Sequence, residues 1–312
     1  MKLARPNIRH PRIVFAGCRA LIEGDGDDAG LIGALRDRGL PARWLAWDDP
    51  QILDADLVIL RATWDYTERT DEFLRWCTRV RNLLNAPAVV TWNCDKRYLA
   101  DLAAAGVPTV PSTFCAPGDT VELPAGELVV KPAVGAGSVG AQRFTDAAAA
   151  RAHVARLHAD GRTALIQPYD ARIEAGETAL VFLGGSRSHA FVKGPMLPAP
   201  GAPAPLHASG TYAEEKLSPA DPDFELWDLG HAALTAAAGH LGIGVDEFLY
   251  ARVDVIGDRH DPRLLELELI EPSLGWGQLT DKDRALAQRR FALAVESALE
   301  RLDLGPLSHR RP

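Results

Sequence analysis

Residues 263–277 read RLLELELIEPSLGWG. Leu and Glu alternate, so Glu266 and Glu268 share one side of a strand and Leu265, Leu267 and Leu269 the other. Two carboxylates on one side of a strand sit about 7 Å apart. At an effective dielectric near 20 they repel by roughly 2 kcal/mol when both are ionised. Either water screens the pair or a cation sits between them. Asp254 stands in ARVDV, followed by GDRHDP, a segment of turn composition. The two segments are therefore expected to pair antiparallel, bringing Asp254, Glu266 and Glu268 onto one face with Arg252. Hard oxygens of this kind suit Mg²⁺, which commonly binds one or two carboxylates plus substrate phosphates. The competing explanation is a solvated sheet face. Glu271 fits either a group behind such ligands or a strand end.

A second stretch, ELVVKPAVGAGSVGAQRF, spells Gly135-x-Gly137-x-x-Gly140 with Ser138 inside. As a dinucleotide fingerprint it would need a helix opening at the third glycine. AQRF reads instead as a strand, so the loop resembles a flap laying backbone N–H groups over phosphates. Lys131 lies just before it, in reach of an α- or β-phosphate. The bland explanation is a flexible hairpin with a surface lysine. In WNCDKRYLADL, Lys96 opens a helix, a poor place for a cation unless lysine and helix terminus receive an anion together. A solvated lysine is the simpler alternative for Lys96 alone.

Those residues need elements to hold them. RIVFAGC (12–18), ARWLAW (42–47), DLVILRA (56–62) and VVTW (89–92) read as strands. DDAGLIGALRDRGL, which Asp27 or Asp28 could cap, and EFLRWCTRVRNLL (72–84) read as helices between them. Alternating strands and helices mean a parallel, Rossmann-like unit. DKRYLADLAAAGVP is a helix closed by Gly106. Beyond it come strand–loop–strand (127–145), a helix over 146–161 capped by Asp146, a strand (163–170) and a hairpin (178–194) turning at Gly184-Gly185. A helix FELWDLGHAALTAAAGHLG, the two acidic strands and a closing helix over 281–302 complete the chain. Residues 195–223 are rich in Pro, Ala and Gly and too long for an idle connection; they are expected to form a mobile lid or to be partly disordered. Residues 1–11 read as a mobile arm.

The 312 residues carry 34 basic and 42 acidic side chains, a net charge of −8. That argues against nucleic acid and anionic membranes as partners. The four cysteines stand alone, with no CxxC, which fits a reducing compartment. No segment approaches a membrane span or a signal peptide, so a cytoplasmic location is expected.

A lysine at a helix start, a lysine before a glycine hairpin loop and a D-x11-E-x-E set together resemble the ATP-grasp superfamily. RATWDY, WNCDKRYLADLAAAGVPTVP, VVKP, LIQPYD, GET, SHAFVKGPM, RVD and ELELIEPSL are similar to the branch that includes cycloserine synthetase, an enzyme of antibiotic biosynthesis. The resemblance covers about residues 56–280. Glutathione synthetase and ribosomal-protein-modifying ligases share the general plan. Where the family has E-x-N, this chain has Glu266-Leu267-Glu268, which keeps an oxygen ligand and adds a charge.

The resemblance implies an α/β fold, α+β in the ATP-binding part: an N-terminal Rossmann-like pre-ATP-grasp domain (1–94), a small subdomain with the glycine loop (95–172) and a C-terminal subdomain with the metal (173–312). It implies that Lys96 and Lys131 hold the α- and β-phosphates of ATP, and that the Gly135, Gly137, Ser138 and Gly140 loop closes over the β- and γ-phosphates. Gln167, Pro168 and Tyr169 would lie at the adenine hinge, and Glu177 would accept from the ribose. Lys193 and Arg252 would neutralise the transferring phosphoryl group. Asp254, Glu266 and Glu268 would bind one or two Mg²⁺ or Mn²⁺ ions. The implied reaction activates a carboxylate as an acyl phosphate, which a small-molecule amine then attacks to give amide, ADP and phosphate.

Other residues stay open. Arg61, Trp64 and Asp65 follow a strand at its carboxyl end, where α/β sheets bind ligands. Arg61 could hold the substrate carboxylate or form an interdomain salt bridge. His189 could be a base or a structural histidine. His207, Tyr212 and Lys216 could close over substrate, and Trp276 could wall the pocket or fill the core. A homodimer is left open. Rival classes are a small-molecule kinase on the same fold and a non-catalytic ATP-binding protein.

Overall fold

All five residues of β1 (Ile13–Gly17) are buried, so the strand needs cover on both faces. In the computed structural model, which describes residues 10–202 and 215–305, β2 (Ala42–Ala46) and β3 (Leu57–Ala62) flank β1 in parallel. A short β4 (Leu83–Leu84) extends the sheet from β3. α1 (Leu31–Asp37) and α2 (Thr70–Cys77) are the crossovers that parallel pairing requires. The expected lid partly falls, with His207 and Tyr212, outside the described residues, as does most of the expected N-terminal arm.

Three readings of this unit need correction. VVTW is not a strand; it lies in α3 (Pro87–Asn93). A four-residue apolar run does not separate strand from buried helix, and Pro87 at the first turn favours helix. The helix read over 72–84 stops at Cys77, which frees Leu83 and Leu84 to pair with β3. Neither Asp27 nor Asp28 caps a helix through its side chain.

α4 (Tyr98–Ala104) leads to a four-stranded antiparallel sheet. It consists of β5 (Thr113–Cys115), β6 (Leu128–Pro132), β7 (Gln142–Phe144) and β8 (Ala164–Pro168), in the order β5-β8-β6-β7. α5 (Ala147–Ala159) packs on it, its first turn capped by Asp146, which accepts from the Ala148 N–H. The five-stranded sheet runs β11-β10-β9-β12-β13. β9 (Glu177–Leu183) and β10 (Ser186–Lys193) form the expected hairpin. Its turn has positive φ at Gly184 and Gly185, and a Cβ on Gly185 would lie 2.7 Å from the Val245 carbonyl oxygen. β11 (Leu217–Ala220), α6 (Phe224–Leu241), β12 (Tyr250–Ile256), β13 (Arg263–Glu268) and α7 (Asp281–Arg301) complete the chain.

Alternation along β9 divides the core. Leu180 and Phe182 pack with α6, Val253 and Leu267 on one side. Val181 packs on the other with Phe15, Leu35, Tyr250 and Phe291, so α7 shares one continuous core with the N-terminal sheet. β12 and β13 pair antiparallel as expected, but a bulge lies at Asp254/Val255. Val255 faces Leu264 and Asp254 faces Glu266, leaving Leu265 as the extra residue. The core row is therefore Leu264, Leu267 and Leu269, not Leu265, which is only half-buried.

Candidate active site

A cavity of about 480 Å³ lies where the two antiparallel sheets and the N-terminal unit meet. Pairing across β12 and β13 sets Arg252 beside Glu268 and Asp254 beside Glu266. Arg252 donates to Asp254 (Nε–Oδ1 2.9 Å), to Glu268 (Nη2–Oε1 2.5 Å) and to the Ser273 carbonyl (3.1 Å). Lys193, at the end of β10, reaches Asp254 at 2.6 Å and Glu177 at 2.9 Å. Lys96 pairs with Glu266 at 2.8 Å and donates to the Gly135 carbonyl at 2.6 Å, tying the glycine loop to β13. Lys131 also lines the cavity, and its ammonium makes no hydrogen bond or ion pair among the described residues.

The electrostatics follow from that arrangement. Burial lowers the pKa of Lys131, and its neighbours Lys96 and Lys193 add to the effect. Burial opposes ionisation of Glu266, but Lys96 and Lys131 more than offset it and hold its pKa down to about 2. Burial pushes Glu268 up to about 7, with Arg252 opposing and Asp254 and Glu266 adding like charge. Glu271 is pushed up to about 8, first by burial and then by Glu268. Asp254, fully enclosed by Arg252 and Lys193, stays below its ordinary value despite its burial.

Glu266 and Glu268 line the cavity, whereas Asp254 is fully buried behind them. Among the described residues no three His, Cys, Asp or Glu side chains gather as a metal-holding group. Two cavity carboxylates nevertheless fit Mg²⁺, which takes its remaining ligands from phosphates and water. The crowding that raises Glu268 is what a bound cation would relieve.

The glycine loop joins β6 to its antiparallel neighbour β7 and opens no helix, which excludes a dinucleotide fingerprint. Ser138 adopts a positive φ of 59°, an uncommon conformation for a residue with a side chain, between Gly137 and Gly140, which are also positive. Gly135, Gly137 and Ser138 line the cavity, and the Gly140 carbonyl is held by His153 at 2.9 Å.

Gln167, Glu177, Lys193 and Trp64 also line the cavity. The Tyr169 ring lies under the Arg143 guanidinium at 3.6 Å, its hydroxyl bonds Glu174 and its N–H is taken by the Glu127 carbonyl. Asp65 accepts from Trp47 Nε1 at 2.7 Å. Arg61 is buried, paired with Asp28 at 2.7 Å and donating to the Pro272 carbonyl at 2.6 Å. The pair with Asp28 lies within the N-terminal unit, and the hydrogen bond to the Pro272 carbonyl is what crosses to the C-terminal part. His189 bonds the Leu274 carbonyl at 2.6 Å and packs on Trp276, which is buried in the core.

Sequence reasoning missed the clamp that Arg61 belongs to. Asp27 Oδ2 accepts from the Leu274 N–H (3.0 Å), the Gly275 N–H (2.9 Å) and the Ser273 hydroxyl (3.3 Å), and Asp28 accepts from Trp276 Nε1 (3.0 Å). The N-terminal unit thus grips residues 272–276, whose Ser273 carbonyl orients Arg252. The only available signal was two adjacent acids after a glycine, which read equally well as a helix cap.

Residues 13–85 match the family model described as D-cycloserine synthetase DcsG, N-terminal domain. The chain is 38% identical over 296 residues to the cycloserine biosynthesis protein DcsG of Streptomyces lavendulae, covering 88% of this chain and 95% of that protein. A crystal structure of D-cycloserine synthetase DcsG matches with a TM-score of 0.79 at 33% identity, over 92% of this chain and 99% of that one. The D-alanine–D-alanine ligase from Bacillus anthracis, complexed with ATP, shares the fold, with a TM-score of 0.64 at 15% identity over 94% and 98% of the two chains. By sequence over most of its length, and by fold, the chain belongs to the D-cycloserine synthetase family of ATP-grasp ligases.

Proposed function

We propose that this ATP-dependent ligase makes its C–N bond through an acyl phosphate, and that the bond closes a ring within one amino-acid-like molecule. The observation that carries the reading is Lys131: a cation without a partner among the described residues, on a cavity also lined by Lys96, Lys193 and Arg252. With a divalent cation to offset Glu266 and Glu268, such a wall can receive a polyanion. Lys96 and Lys131 hold the α- and β-phosphates of ATP, and the Gly135–Gly140 loop covers the β- and γ-phosphates. Gln167, with Pro168 and Tyr169 next in the chain, borders the purine, and Glu177 accepts from the ribose. Lys193 and Arg252 stabilise the charge on the phosphoryl group as it passes to the carboxylate. Glu266 and Glu268, backed by Asp254, would hold Mg²⁺, one or two ions, which neutralises phosphate charge when bound. Positioning and neutralisation suffice for this chemistry, so no nucleophilic side chain is required.

Ring closure is favoured by the similarity to proteins named for cycloserine synthesis. The three sheets support three parts, over about 1–94, 95–172 and 173–312. Among the described residues no helix is long and apolar enough to cross a membrane, and all four cysteines are buried and free, which supports work in the cytoplasm. The test is ³¹P NMR with Mg-ATP and a pool of amino acids, aminooxy and hydroxamic acids and small amines. ADP and phosphate with a new amide support the ligase. A stable phosphate ester would mark a kinase, and binding without turnover a non-catalytic protein.

A further inference from the structure

Nearly every charged side chain on the cavity is tied to another: Lys96 to Glu266, Lys193 to Glu177, Arg252 to Glu268. Lys131 and Glu271 are exceptions. Glu271 is only 8% exposed, lines the cavity and makes no hydrogen bond or ion pair among the described residues. Its carboxyl opens on the cavity rather than being spent on a protein partner, which leaves it available to a bound molecule. The charges acting on Lys131 are Glu266, Lys96, Glu177 and Lys193, whereas those acting on Glu271 are Glu268, Lys96, Arg61 and Arg252. Tyr66 lines the same cavity, and the charge of Glu271 raises the pKa of both Tyr66 and Cys94. It stands one residue before Pro272, where the N-terminal clamp begins, and Ser273 lines the cavity beside it.

We infer that Glu271 is the general base that takes the proton from the attacking nitrogen. The inference rests on the acyl-phosphate reading. In the step, the nitrogen lone pair attacks the acyl carbon and the C–N bond forms. The C–O bond to phosphate breaks, and its electron pair leaves with phosphate. The N–H proton passes to a Glu271 oxygen, which later returns it to water. Burial brings the acid strength of Glu271 close to neutral pH, where proton transfer by a side chain is efficient.

The test compares the parent and Glu271→Gln in Mg-ATP with the same substrate pool, with and without excess hydroxylamine. Free hydroxylamine traps an acyl phosphate as a hydroxamate and supplies its own base. In Glu271→Gln, amide formed per ADP should fall by about 100-fold or more, while hydroxamate per ADP under hydroxylamine holds at the parent's level. Glu271→Asp should recover part of the amide, and it serves as the test variant if Glu271→Gln does not fold. An unchanged amide-to-ADP ratio overturns the inference. So does an equal loss of ADP, hydroxamate and amide, which would place Glu271 in ATP binding. If the parent itself makes neither hydroxamate nor amide, the acyl-phosphate reading fails, and this inference with it.

Discussion

At the scale of single residues, the cavity sorts its charges by whether they are already satisfied. Lys131 has burial against it and no partner among the described residues, so removing it should spare the fold and weaken ATP. A charge-assisted hydrogen bond is worth about 1.5–3 kcal/mol, so Lys131→Ala should raise the Kd for Mg-ATP by roughly 10- to 100-fold with no loss in Tm. Calorimetric titration and a thermal melt check both halves. Asp254 is the opposite case. Both its oxygens are engaged, by Arg252 and Lys193, and it is fully enclosed. Asp254→Ala strands two buried cations and should cost about 3–5 kcal/mol in urea unfolding. The alternation of Glu266 and Glu268 and the spacing to Asp254 were legible in the sequence because β pairing follows parity. The depth of Asp254 was not, because parity names a face and not which residue along it reaches the cavity.

At the scale of elements, local rules worked where they were sufficient and failed where a tertiary partner outbid them. Asp146 caps α5 and Gly184-Gly185 turns the β9–β10 hairpin, both decided within a few residues. The bulge that displaces Leu265 was invisible, because a period of two carries no mark of an inserted residue. Asp27 and Asp28 look like caps but grip a loop almost 250 residues away. That clamp has a pH signature. Burial, with Asp28 adding, pushes Asp27 up to about 6 from an ordinary 3.8. For an acid whose folded pKa is raised, the associated stability is fully present below the unfolded value and is lost as pH rises through the folded value. Asp27→Asn stays neutral and can still accept from Leu274 and Gly275. Its unfolding free energy relative to the parent, read from urea unfolding, should therefore climb between about pH 4 and pH 7, by no more than about 3 kcal/mol. A flat difference would show that Asp27 ionises freely. Arg61→Ala, which releases the Pro272 carbonyl and leaves Asp28 without its ion pair, should lower kcat through Arg252 while leaving KM for ATP nearly unchanged.

At the scale of the molecule, α7 returns to the N-terminal sheet, and Phe15, Leu35, Tyr250 and Phe291 share one core. Mg-ATP bound to the folded form alone should stabilise the chain by about 2.7 kcal/mol at 100 times its Kd, visible as a rise in Tm that falls to about half or less in Lys131→Ala at the same concentration. The general plan was legible because a glycine hairpin loop, two lysines and a D-x11-E-x-E set are each short-range patterns. How the N-terminal unit docks was not, because it depends on contacts that no local pattern encodes. The claim on which the rest depends is acyl phosphate formation in this cavity. Its most direct test is the reaction of Mg-ATP with the substrate pool in excess hydroxylamine, followed by ³¹P NMR and mass spectrometry. Carboxylate-dependent ADP and inorganic phosphate with an equal amount of hydroxamate, abolished by removing Mg²⁺, is the expected result. AMP with pyrophosphate, or a stable phosphate ester without hydroxamate, would contradict it.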